Sequence, residues 1–145
     1  MDDPHDLERF VSAQSGSTYA RAVAELRRGQ KTSHWMWFVF PQIAGLGQSA
    51  TSKRYAIASL GEATAYLQHG VLGPRLLECA RIVAATRGRS AVQVFGGIDA
   101  QKLRSSMTLF LRAAPDEPVF AEVLLRFFDG VADAATDRLL SSSRP

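Results

Sequence analysis

Three polar groupings interrupt the apolar sequence, and each carries residue types able to do chemistry. The first is HWMWFVFPQ, residues 34–42, where His34 and Gln42 bracket six large apolar side chains. An unperturbed imidazole titrates at about pH 6.5, so His34 could act as acid, base or anion contact. Trp37 adds aromatic surface and an indole N–H. The second is GLGQSATSKRY, residues 45–55. Its two glycines, Ser49, Lys53 and Tyr55 are the ingredients of a phosphate cradle: pliable backbone, hydroxyls and positive charge near a helix start. The spacing fits neither G-x-x-x-x-G-K-[ST] nor G-x-G-x-x-G, so a plain loop leading into a Ser-capped helix is the competing reading. The third is DAQKLRSS, residues 99–106, with Asp99, Lys102 and Ser106. Lys102, Ser105 and Ser106 share a helix face at i, i+3, i+4. The familiar S-x-x-K nucleophile places serine first, and here lysine comes first. A polar lining or close helix packing therefore fits these serines better than a hydrolase.

Combined into one site, the three groupings suit a small anionic, nucleotide-like metabolite. Lys53 and Lys102 would hold the anion, and an aromatic ring would stack on the base. Gln42, Ser49 and Ser106 would supply hydrogen bonds, with His34 or Asp99 as catalytic acid or base. Arg75, in LGPRL, is a further anion candidate. Two other readings stay open. One is a non-catalytic interaction module whose basic middle binds nucleic acid or an acidic protein. The other is a fold with no ligand site, in which the aromatic run serves the core alone.

Charge distribution bears on the partner. The net charge of the 145-residue chain is +3, but residues 21–112 hold thirteen Lys or Arg against four acids, a balance of +9. Residues 1–20 and 113–145 each carry −3. A basic middle favours an anionic partner, although opposite charges pairing on a solvated surface would look the same in sequence. His5, His34 and His69 are dispersed and no H-x-x-x-H or H-E-x-x-H occurs, so no metal site is expected. No cofactor motif and no zinc finger, basic heptad region or helix-turn-helix signature is found. The lone Cys79 excludes an intramolecular disulfide. The acidic start MDDPHDLERF is unlike a signal peptide, and no run approaches the ~18 apolar residues that span a bilayer. A cytoplasmic, soluble protein without membrane contact is the expectation.

The elements that must position these residues read as helices. Asp6 is placed to cap the first, with Leu7, Phe10 and Val11 inward, and Gly16 to end it. Ser17 or Thr18 caps a second, with Tyr19, Val23 and Leu26 inward and Gly29 as its stop. Residues 34–40 lack a polar side in either helical or extended form and must be covered from several directions; their helical neighbours favour a short helix ended by Pro41. Ser59 or Gly61 opens the helix that stops at Gly70. Leu72, Leu76, Cys79 and Val83 lie on one apolar face, which makes Cys79 a core residue. Ser90 caps AVQVF, Asp99 caps a long helix to about Ala114 with Leu103, Met107, Phe110 and Ala114 inward, and Pro118 opens a helix closed by Gly130. Asp133 caps a last helix to Leu140, and the tail 141–145 is expected to fray. No stretch alternates with period two. The expectation is an all-α fold, a single compact domain of about seven to nine helices.

The blocks SHWMWFVFPQIAGLGQSATSKRYAI, LGPRLLECA and VFGGIDAQKLRSSMTLF resemble the hallmark segments of an uncharacterised family, domain of unknown function 1810. The resemblance runs from about Asp6 to Leu140. It implies a mainly helical single domain and brings no established activity, substrate or catalytic residue.

Overall fold

The computed structural model describes residues 3–142. Within them the chain forms ten helices: α1 (Glu8–Ala13), α2 (Thr18–Arg28), α3 (Met36–Val39), α4 (Ala50–Arg54), α5 (Leu60–Gln68), α6 (Leu72–Ala85), α7 (Ala91–Phe95), α8 (Gly97–Ala113), α9 (Pro118–Phe128) and α10 (Ala134–Ser142). The count exceeds the expected seven to nine because α3 and α4, of four and five residues, form as separate turns. No sheet is present among the described residues; a single parallel bridge joins Ile43 and Ile57.

Helix α8 is the axis of the molecule, packing against α3, α5, α7, α9 and α10, while α6 packs against α2, α3, α5 and α9. The core follows the apolar spacing. Leu103, Met107 and Phe110 are fully buried along α8, as are Leu72, Leu76 and Cys79 along α6. Phe110 meets Tyr66 and Phe120, at ring-centroid distances of 5.4 and 5.9 Å. Burial pushes the Cys79 thiol up to about 12, which removes it as a nucleophile. Helices α5 and α6 approach so closely at Gly73 that a β-carbon there would lie 2.1 Å from the Leu67 carbonyl oxygen.

Capping explains most helix starts. The hydroxyls of Ser59 and Ser90 accept from Glu62 N and Gln93 N, and Gln93 returns the bond in a full capping box. Pro118 occupies the first turn of α9, and Gly29 ends α2 at φ 75°. Three expected caps are corrected. Ser17 occupies the N-cap position of α2, but its side chain makes no capping hydrogen bond. Asp6 lies outside α1 at φ 51°; the Asp3 carboxylate accepts from Leu7 N and Glu8 N instead, and these bonds hold it below the usual carboxylate range. Asp99 does not cap α8, which starts two residues earlier behind Gly96. The tail also differs: Ser141 and Ser142 belong to α10, and residues 143–145 lie outside the described residues. No helix among the described residues is long and apolar enough to cross a membrane.

The aromatic run is not covered all round. Trp35, Met36, Val39 and Phe40 are buried, whereas Trp37 and Phe38 are only half-buried. In so short a helix Trp37 leaves the core side and reaches the surface beside α8.

Candidate functional site

Gly96 turns the chain from α7 directly into α8 at φ 82° and offers no side-chain cap. The first N–H groups of α8 therefore face outward with the positive end of the helix dipole. Gly97, Ile98, Asp99 and Lys102 form one wall of a depression of about 390 Å³, and Lys31, His34 and Trp37 form the other. Lys31 Nζ lies 2.8 Å from Asp99 Oδ2, and Lys102 Nζ lies 3.9 Å from Asp99 Oδ1. The Lys102 ammonium also sits over the Trp37 ring, 4.6 Å from its centroid. Two ammonium groups share one carboxylate, so the depression keeps a positive excess. His34 is exposed and has no hydrogen-bond or ion-pair partner among the described residues.

A buried carboxylate fixes the segment that carries Lys31 and His34. Glu25, on α2, is 2% exposed and accepts from Thr32 N at 2.8 Å, Ser33 N at 3.0 Å and the Trp35 indole at 2.9 Å, with the Ser33 hydroxyl as a fourth donor. Burial alone would push its acid up; the Ser33 hydroxyl and the other donors outweigh burial and bring it to about 2. Lys31 N donates to Val94 O at 2.8 Å, which ties the same segment to α7.

Trp37 also lines a second, smaller depression of about 140 Å³, with Gln42, Gly47, Lys53 and Tyr55. Its shape depends on the Ile43–Ile57 bridge, in which Ala44 N donates to Ile57 O and Ile57 N to Gln42 O, both at 2.8 Å. Arg9 secures the outer part of this loop. It donates to Arg54 O and Ala56 O at 2.8 Å and pairs with Glu62 at 2.7 Å. A third hollow, a groove of about 570 Å³, shares Gln42 and Gly47 with the second and Gly97, Ile98 and Lys102 with the first. The three are thus adjacent, sharing walls at Trp37, Gln42 and Lys102.

Seven of the nine residues singled out from sequence line this surface: His34, Trp37, Gln42, Lys53, Tyr55, Asp99 and Lys102. Two are not brought to it. Ser49 is exposed and engaged in capping α4, accepting from Ser52 N at 3.0 Å. Ser106 is fully buried, and its Oγ has no partner among the described residues. The Tyr55 ring is held against Phe10 and Phe38, so only part of it faces the hollow. Arg75 lies elsewhere, over the Tyr19 ring and donating to Gln14. Sequence reasoning did not single out Lys31; its position three residues before His34 was the available signal. It missed the role of Glu25 entirely, and it gave Asp133 a capping role alone. No group of three or more His, Cys, Asp or Glu able to hold a metal occurs among the described residues.

The comparisons agree with the architecture. The crystal structure of the conserved hypothetical protein Rv1873 from Mycobacterium tuberculosis is 52% identical, over 96% of this chain and 99% of that one, with a TM-score of 0.93. No curated protein matches the sequence. A family model described as protein of unknown function (DUF1810) matches residues 4–140, nearly the whole helical domain, and the chain belongs to that family.

Proposed function

We propose that the front of α8 binds a small anionic, nucleotide-like metabolite. The observation that carries this reading is the convergence of Lys31, His34 and Lys102 on the uncapped N-terminus of α8. Backbone N–H groups and ammonium groups at a helix N-terminus are a favourable setting for phosphate or carboxylate. Lys102 holds the anion, and Asp99, lying between two lysines, keeps both side chains in place. His34 is the free acid–base group at the rim, so any chemistry on the ligand starts there. Lys53 and Tyr55, beyond Trp37, add a second contact region.

The concave form of this basic surface favours a small ligand over a nucleic acid or an acidic protein, whose recognition would use a broad convex face. A cytoplasmic setting belongs to the same reading, with which the single, buried cysteine Cys79 is consistent.

Thermal unfolding with AMP and ribose 5-phosphate, beside adenosine and ribose, tests the reading. Saturation at 100 times Kd should stabilise the protein by about 2.7 kcal/mol. The phosphorylated probes should raise Tm and the neutral ones should not, and Lys102→Ala should weaken the response at least tenfold in concentration. Equal shifts with and without phosphate, or no shift at millimolar probe, would overturn it.

A further inference from the structure

The groove beside the anion site has different chemistry. Leu46, Ile98 and Ala135 wall it, and Ile98 is 77% exposed there. Asp133, 7% exposed and without an ion pair among the described residues, also lines it. The bonds to its two oxygens are unequal. Oδ2 accepts from Ser105 Oγ at 3.1 Å, Thr136 N at 3.0 Å and Thr136 Oγ1 at 2.6 Å, which fixes the start of α10. Oδ1 accepts one bond, from Gln101 Nε2 at 3.0 Å. A carboxylate oxygen can accept at least two, so Oδ1 keeps acceptor capacity that capping α10 does not use. A mostly buried carboxylate with no cation is stabilised by any further N–H donor that reaches it.

The groove and the anion site share Gly97, Ile98 and Lys102. Gln101 and Ser105, which flank Asp133, lie one and two turns beyond Gly97. Their mean position is six residues along α8, or about 9 Å at 1.5 Å per residue. A phosphate–ribose–base unit covers that span.

We propose that this groove is the base subsite of the same ligand, selecting a flat ring that carries an amino group. The amino N–H donates to Asp133 Oδ1, the ring lies against Ile98 and Leu46, and the phosphate sits at the start of α8. The ligand class is a phosphorylated nucleoside with an amino-bearing base. This inference rests on the anion-site reading above.

Calorimetric titration with three probes separates the two claims: AMP, purine riboside 5′-monophosphate, which lacks only the amino group, and ribose 5-phosphate. AMP should bind about tenfold more tightly than either of the others. Leu46→Ala alters a half-buried loop side chain that lines the groove and neither of the other two hollows; it should weaken AMP at least threefold and leave ribose 5-phosphate unchanged. Asp133→Asn, checked for folding by circular dichroism, should abolish the preference for AMP over purine riboside 5′-monophosphate. Equal affinity for all three probes, with Leu46→Ala neutral, would remove the base subsite and leave the anion site standing. Absence of binding by any of the three would remove both.

Discussion

Along the seventeen residues of α8, the last seven, Met107–Ala113, carry Met107, Leu109 and Phe110 at zero exposure, closed in by α5 and α9. The first ten, Gly97–Ser106, hold the same apolar stripe at Ala100 and Leu103 but border open hollows with Asp99, Gln101 and Lys102. One helix thus serves as core at one end and as site wall at the other. The difference comes from its neighbours: long helices cover the back, whereas the front meets short elements and loops, among them α3, α7, the Lys31 segment and the start of α10. Stability is concentrated where long helices pack, and polar side chains are left available where short elements cannot cover them.

Mutations should separate the two ends. Phe110→Ala, at the back, should cost about 3–5 kcal/mol by urea unfolding, since it removes an aromatic ring packed against two others. A cost under ~1 kcal/mol would erase the contrast. Gly73→Ala attacks the same region through the backbone. Its new methyl would meet the Leu67 carbonyl, which cannot yield without parting α5 from α6, and a loss of about 3 kcal/mol is expected.

Glu25 supports the front from beneath and makes a pH prediction. Its folded acid lies at about 2 against an ordinary value of 4.5, so its carboxylate stabilises the fold fully above pH 4.5. That contribution, on the order of 3 kcal/mol, should fade as pH falls from 4.5 towards 2. Glu25→Gln should flatten this part of the stability–pH curve and lower stability at pH 7; an unchanged acid limb would contradict the role assigned to it. Lys102→Ala should change stability by less than ~1 kcal/mol, because its ion pair is long and near the surface, yet weaken AMP binding at least tenfold. Ser106→Ala marks the boundary between the two ends. Its buried hydroxyl has no partner among the described residues, so removal should be neutral or stabilise by up to about 1 kcal/mol, with AMP affinity unchanged.

How far the sequence disclosed this arrangement depended on the range of each interaction. Ser59, Ser90, Pro118 and Asp133 were legible as helix starts because a cap and its target lie within three residues. The faces of α6 and α8 were legible because helical period alone orders them. Asp6 misled because an alternative acceptor, Asp3, stood three residues earlier and reached two N–H groups at once. Asp99 misled because Gly96 admits a left-handed turn that starts α8 early. The pairing of Lys31 with Asp99, and of Arg9 with Glu62, joins residues far apart in the chain, and no local pattern encodes it. Trp37 was singled out as an aromatic contact, but composition could not tell which side of a four-residue helix would lack a neighbour.

The most direct test of the central claim is a two-dimensional amide spectrum of the labelled protein titrated with AMP. The account predicts that the amides of Gly97, Ile98 and Lys102 and the indole N–H of Trp37 shift progressively, while those of Leu109 and Phe110 stay fixed. Shifts confined to other surfaces, or none at saturating AMP, would contradict it.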